Sequence, residues 1–294
     1  MAAQRDLQSN HLFYDQLSVN PGYTGVPGQP EVLAFARQSS GGEEALSLYG
    51  ARVHGRSANG RVGLGVAITQ FKAFDYSYFT ASLLYAYHVR LSAKQTLSIG
   101  LAASANQYTI PVQAGGVFEP PFVFFRGNAG VGITYYTDDS YVYASVPSLL
   151  DDNIDDAFTE LGQPLRVATF DRITYVGAGT TLRRRGAELE YRPHAQVAFT
   201  PSGDVAVSAG VQTVWPSGFS LSGSYRRGEL PDALALNTLN VGLQIRLKNG
   251  LLLGGSANVW LGAFAGPASN GAEAFGRYRW GEHFSAYSAS QPEF

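Results

Sequence analysis

The 294 residues include no cysteine. Disulfides, thiolate nucleophiles and cysteine-ligated metals are therefore excluded, and the absence fits an oxidising compartment without proving one. Charge is also scarce: Asp, Glu, Lys and Arg make up 15% of the chain, and the net charge of -2 provides no field to draw nucleic acid. The sequence has no run of about 18 apolar residues, so no transmembrane helix is available. That does not exclude a membrane, because a β-barrel needs apolar residues on one face of each strand only. The opening "MAAQRDLQSN" has no signal-peptide apolar core. Either the chain stays in the cytoplasm, or a leader has been removed. The five histidines, His11, His54, His88, His194 and His283, fall at no metal-ligand spacing. Gly-x-Ser-x-Gly elbow, P-loop and dinucleotide fingerprint are all missing. No cofactor, metal site or enzymatic activity is expected.

Glycine and aromatics are abundant instead, with 34 Gly, 17 Tyr and 17 Phe. That composition, with its low charge, points to one large all-β unit. The dominant signal has period two. In "RVGLGVAITQF", Val62, Leu64, Val66 and Ile68 share one face, and Gly63, Gly65, Ala67 and Thr69 the other. "QTLSIGLAAS", "FSLSGSYRR" and "TLNVGLQIRL" sort the same way. This predicts strands near 31–38, 43–51, 61–71, 77–90, 95–108, 121–136, 140–146, 170–182, 187–199, 203–214, 218–227, 237–247, 250–260 and 271–280. The total is about fourteen, with twelve left open. "SANG", "DDS", "RRRG", "PSG" and "KNG" supply the turns.

Even-numbered connections read short. The odd ones include the three longest, near 109–120, 147–169 and 228–236, although "SSGG" and "TPSGD" are short too. Short turns at one end and long loops at the other suit an outer-membrane barrel, whose even strand count returns both termini to the periplasm. The less apolar face is mostly Gly, Ala, Ser and Thr, as a crowded barrel interior requires. Tyr76, Tyr78, Phe79, Tyr85, Tyr87, Tyr135, Tyr136, Tyr141, Tyr143, Trp215, Trp260, Tyr278 and Trp280 gather near strand ends, where amphipathic rings suit the membrane interfaces. The competing account is an ordinary β-sandwich. Gln70, Lys72, Gln107, Arg126, Glu190, Arg192, Gln212, Arg226, Gln244 and Arg246 are expected to reach into the lumen. There they would form a stiffening ladder or line a path for small anions. The expected organisation is an all-β, transmembrane antiparallel β-barrel over 31–281. An N-terminal arm or plug (1–30) precedes it and a tail (282–294) follows.

Three stretches carry candidate function. In the first, "YDQLSVNPGYTG", Pro21 fixes its own φ and restricts Asn20, while Gly22 and Gly25 permit positive φ. Tyr14 and Tyr23 would then anchor the elbow as a periplasmic plug or strap. The plainer account is a packed arm that only adds stability. In the second, Asp151, Asp152, Asp155 and Asp156, followed by Glu160, crowd the connection after the seventh strand. Carboxylates suit Ca²⁺, but the spacing is not that of an EF-hand. A solvated outer loop that touches a partner or lipopolysaccharide is the preferred reading, with a short helix at 151–161. In the third, Arg183, Arg184 and Arg185 form a basic turn that would face an acidic periplasmic partner or simply stay solvated.

The segment "NHLFYDQLSVNPGYTG" resembles the opening of the PorP/SprF family of type IX secretion outer-membrane proteins. Members begin with an aromatic-rich stretch and an Asn-Pro-small-Tyr-small-Gly turn. "YAYHVRLSAKQTLSIGLAASANQY" (85–108), "FFRGNAGVGITYYTDDSYVYASVPSLL" (124–150), "SGFSLSGSYRR" (217–227) and "GAEAFGRYRW" (271–280) resemble later blocks of the family, in the same order. The chain departs from the pattern at Gly22, where Ala is usual, and in the stretch after Trp280. The resemblance implies a non-catalytic outer-membrane role in Bacteroidota, in secretion or surface attachment of large proteins such as gliding adhesins. The implied partners are type IX secretion subunits or the C-terminal domain of a secreted adhesin, besides outer-membrane lipid. The alternatives are a passive channel or hydrophobic-solute transporter, and a structural barrel that merely docks other subunits.

Overall fold

A strand places successive side chains on opposite sides, so the period-two pattern obliges each segment to present one greasy face and one small or polar face. The computed structural model describes residues 15–40, 46–73, 76–114, 117–150, 172–183, 189–228, 236–261 and 270–280. It shows how the two kinds of face are used. The strands are β1 (Glu31–Ser40), β2 (Leu46–Arg56), β3 (Val62–Ala73), β4 (Tyr76–Arg90), β5 (Thr96–Ala114), β6 (Val117–Tyr136), β7 (Ser140–Val146) and β8 (Thr174–Thr180). They continue as β9 (Leu182–Arg183), β10 (Glu190–Phe199), β11 (Val205–Val214), β12 (Phe219–Gly228), β13 (Leu236–Arg246), β14 (Leu251–Trp260) and β15 (Asn270–Arg279).

Apart from β8 and β9, which both pair β10, each strand pairs antiparallel with its chain neighbours, and β15 pairs β1, so the sheet closes on itself. β8 and β9 are one strand interrupted at Thr181, since both pair β10 in the same register. The result is a 14-strand antiparallel barrel. Among the described residues no helix is long and apolar enough to span a membrane.

The outer face decides the solvent. Leu64, Val66, Ile68, Leu83, Ile99, Leu101, Val207, Val241, Leu243 and Ile245 all point outward and are exposed, Leu83 by 67%. Among the described residues no second sheet covers them. An apolar surface that circles a closed barrel is the face that lipid tails cover. The partner residues Thr69, Ser98, Ser220, Ser222 and Gln244 are buried inside.

The interior is less meek than composition suggests. Leu33, Phe35, Leu48, Phe71, Tyr78, Tyr108, Ile110, Leu252 and Phe275 form an apolar patch within the barrel. Several rings lie across the glycine directly opposite on the neighbouring strand: Phe35 over Gly50, Phe275 over Gly254, Tyr143 over Gly177 and Tyr141 over Gly179. A side chain at any of those glycines would occupy the ring's place. Tyr78, Tyr136, Tyr141 and Tyr143, expected at the membrane interfaces, are thus buried in the lumen. A tyrosine suits either place, because its ring packs and its hydroxyl finds a partner. Here Tyr78 donates to Asn106 (3.0 Å) and Tyr143 to Gln196 (2.6 Å). Gln70, Lys72 and Gln107, expected inward, lie on the outer face: they alternate with the buried Thr69, Phe71, Asn106 and Tyr108.

The wall is uneven in height. β5 and β6 run 19 and 20 residues, so the long loop expected at 109–120 is instead an extension of their hairpin. Pro111, Pro120 and Pro121 disguise it, because proline ordinarily argues against a paired strand. The ladder absorbs Pro111 at a register shift between Ile110 and Val112. β7, by contrast, has seven residues, short of the ~9–11 that a spanning strand needs.

Candidate functional site: an arm seated in the lumen

Residues 15–30 precede the first strand and turn into the barrel. Two single 3-10 turns, η1 (Gln16–Ser18) and η2 (Pro21–Tyr23), shape them. The local chemistry is that of the Asn-Pro-Gly sequence. Asn20 caps η2, its Oδ1 accepting from the Gly22 N–H at 2.8 Å. Pro21 occupies the first turn position, where no N–H is needed. The Thr24 hydroxyl donates to the Pro21 carbonyl at 2.8 Å, and Gly25 takes φ +76°, a value that only glycine adopts without strain.

The elbow is then stitched to the inner wall at the end of the barrel that carries the short connections. Asn20 Nδ2 donates to Thr134 Oγ1 on β6 (2.7 Å), and Ser145 Oγ on β7 donates to the Val19 carbonyl (2.7 Å). His54 Nδ1 on β2 accepts the Gly25 N–H at 3.0 Å, and His88 Nε2 on β4 donates to the Thr24 carbonyl at 3.0 Å. Arg56 donates to the Gly25 carbonyl (2.8 Å) and the Val26 carbonyl (3.2 Å), and also contacts the Tyr136 hydroxyl. Asp15 pairs with Arg52 in a buried ion pair. Leu17, Val19, Tyr23 and Val26 pack on Leu84, Tyr136, Tyr141, Tyr143 and Tyr175. Each such side chain is worth about 1.5–3 kcal/mol when fully buried.

Three inner-face glycines make room for this backbone. A Cβ at Gly63 would overlap the Thr24 carbonyl, one at Gly100 the Pro21–Gly22 peptide, and one at Gly132 the Asn20 Oδ1. The small inner residues of β3, β5 and β6 therefore form a fitted seat and do more than save space.

Just behind the arm lies the barrel seam. Glu31 on β1 receives Arg279 on β15 through Nε (3.0 Å) and Nη2 (2.7 Å), with Arg277 at 3.8 Å. His54 joins from β2 at 3.3 Å. Since its Nδ1 accepts from Gly25, its Nε2 carries the proton and donates to Glu31. One imidazole therefore links the arm to the seam.

Of the residues singled out from sequence, Asn20, Pro21, Gly22, Tyr23 and Gly25 come together in this seat. Tyr14, Asp151, Asp152, Asp155, Asp156, Arg184 and Arg185 lie outside the described residues. Arg183 is engaged within the chain, through Asp139 at 3.2 Å and Glu190 at 2.8 Å. These are exposed pairs of small energetic weight. Arg52, His54, Arg56, His88, Thr134 and Ser145 were not anticipated as arm ligands. Their signal was parity: each shares the inward phase of its strand, where a charged or imidazole group needs a partner.

The family described as "Type IX secretion system membrane protein PorP/SprF" matches residues 1–275. The chain belongs to the PorP/SprF family. No curated protein matches it. Among solved structures, it is similar to the outer membrane protein Omp33 of Acinetobacter baumannii. The TM-score is 0.52 at 9% identity, covering 87% of this chain and 100% of that one. It is also similar to the KdgM porin (TM-score 0.41, 6% identity, 84% and 98% covered) and to OmpF of Salmonella typhi (0.42, 9%, 86% and 98%). At such identity the likeness to Omp33 speaks for the fold alone. This PorP/SprF member is thus an outer-membrane barrel with a folded arm in its lumen.

Proposed function

We propose that this PorP/SprF barrel is a non-catalytic component of type IX protein secretion and gliding motility in the bacterial outer membrane. It holds secretion subunits or the C-terminal domain of a large adhesin-like cargo and so supports secretion or surface attachment. The observation that carries this reading is the seated arm. A chain segment tied to the inner wall from β2 to β7 by hydrogen bonds, an ion pair and fitted glycines is an obstacle in a lumen. A barrel built for passive flow of small solutes gains nothing from it. The family's association with the type IX system supplies the setting. In this reading the arm plugs or straps the periplasmic end, and the inner and outer rims are left to bind protein.

The test is affinity purification of the full chain from native outer membranes. A type IX subunit or an adhesin C-terminal domain is expected to co-purify, and surface display of that cargo is expected to fall when the chain is deleted. An isolated monomer that conducts ions freely, from cells whose surface display survives the deletion, would overturn the proposal in favour of a passive channel.

A further inference from the structure

Two buried imidazoles hold the arm, and each holds it as a neutral ring. His88 on β4 closes a chain of hydrogen bonds that runs from the wall into the arm. Arg56 donates to the Tyr136 hydroxyl, that hydroxyl donates to His88 Nδ1 (3.2 Å), and His88 Nε2 donates to the Thr24 carbonyl (3.0 Å). Arg56 Nη2 also approaches His88 Nδ1, at 3.4 Å. With donors on that side, Nδ1 serves as an acceptor and carries no proton. His54 on β2 takes the same tautomer: Nδ1 accepts the Gly25 N–H and Nε2 donates to Glu31.

A proton at either Nδ1 breaks the arrangement. At His54 it sets one N–H against another, that of Gly25. At His88 it faces two donors and places a second positive charge beside the Arg56 guanidinium. The neighbours of the two rings differ. Around His54 are Glu31 from β1, with Arg277 and Arg279 of β15 on the same carboxylate, and Tyr23 from the arm, its ring centroid 6.0 Å away. Arg52 and Arg56 flank it on its own strand. Around His88 are Arg56 from β2, Tyr136 from β6, Arg61, whose carbonyl accepts the His88 backbone N–H, and Arg90 on its own strand. The inner positions of β3 and β5 beside the rings are Gly63, Gly65 and Ser98, which carry no charge. Among the described residues Glu31 eases a charge on His54, and no carboxylate eases one on His88.

We propose that His88 and His54 form an acid-sensitive latch on the arm. Neutral, they hold it in the lumen; protonated at Nδ1, they let it go. Both rings stand two residues from the end of their strand, at the mouth with the short connections and close to bulk water. Out of the seat, an imidazole takes up its proton near pH ~6.5. In the seat each ring must stay neutral to keep its bond to the arm. The hold is therefore complete well above that pH and weakens as pH falls through it, by up to about tenfold per pH unit for each ring. His88 contributes the larger part, because Glu31 offsets some of the cost at His54. The latch concerns how the arm is held and goes beyond the secretion reading: it stands or falls whatever the barrel carries.

The test is amide hydrogen exchange of the full chain in detergent, followed at Gly22, Gly25 and Val26, whose N–H groups are bonded in the seated arm. Rates are expressed against the unstructured chain at the same pH. Protection is expected to fall about tenfold or more between roughly pH 7.5 and roughly pH 5, while strand amides stay protected. In the double variant, His54→Asn supplies an oxygen to accept from Gly25 and His88→Gln an amide to donate to Thr24, and neither side chain takes a proton in this range. Its protection is expected to stay within about twofold across the same interval. Ring nitrogen chemical shifts of the parent near pH 7.5 are expected to show both imidazoles protonated at Nε2 alone. The proposal is overturned if either ring carries its proton at Nδ1, if the parent's arm is equally protected at both pH values, or if the double variant loses protection as the parent does. Loss of the strand amides' protection together with the arm's at the lower pH overturns it too, since the acid response would then belong to the whole barrel.

Discussion

Asn20 and Thr134, 114 positions apart in the chain, meet inside the barrel with the Asn20 amide nitrogen 2.7 Å from the Thr134 hydroxyl. The same Asn20 side chain also caps the turn that follows it. Asn20→Ala removes a cap and a tether together, and each is worth about 1 kcal/mol. The expected outcome is an arm that leaves its seat more often, read in planar bilayers as longer or more frequent open events. Identical traces for the variant and the parent would show that Asn20 does not hold the arm.

The seat can be filled from the other side. Gly132→Val and Gly100→Val place side chains where the arm backbone lies, while β-branched residues suit the strands themselves. Both variants are expected to fold into heat-resistant barrels and to expose the arm to added protease. An arm that stays protected in both variants would contradict the fitted-seat account.

The Asp15–Arg52 pair lies where water is excluded. Removing Arg52 leaves the Asp15 carboxylate buried without it, at a cost of about 3–5 kcal/mol, whereas removing Asp15 leaves Arg52 with the nearby charge of Glu273. Arg52→Met is therefore expected to loosen the arm more than the double variant with Asp15→Asn does. A double-mutant cycle on arm protection from protease measures this, and strictly additive effects would mean that the two groups are not coupled.

The two faces of the wall offer a contrast. Leu243→Arg puts a charge on the outward face of β13 and is expected to destabilise the barrel by about 2–4 kcal/mol if it sits near the bilayer midplane. Ser222→Ala, on the inner face of β12, loses a hydroxyl that donates to the Gly242 carbonyl at 3.4 Å and is expected to cost under about 1.5 kcal/mol. Unfolding by urea from liposomes gives both numbers, and equal effects would undermine the assignment of the outer face to lipid.

The wall was readable because its physics is local. β3 and β13 alternate so cleanly that the face of Leu64 or Leu243 follows from period alone, and the elbow at Asn20–Pro21–Gly22 announces its turn chemistry in three residues. What that elbow touches was not readable. Thr134, Ser145 and His88 reach it only after the sheet has curled through a full circle, and no short-range pattern encodes that curl. The upper part of the β5–β6 hairpin was hidden by prolines that ordinarily end strands. The inward tyrosines Tyr141 and Tyr143 were hidden by their amphipathic character, which suits a membrane interface as well as a lumen.

The ion cluster at the seam bears on how this chain is made. Glu31 is made 248 positions before its partner Arg279. A chain cut short before β15 lacks both Arg277 and Arg279 and leaves β1 and β14 each with one unpaired border. Closing the ring and neutralising the Glu31 carboxylate with arginine are therefore one and the same late event in folding.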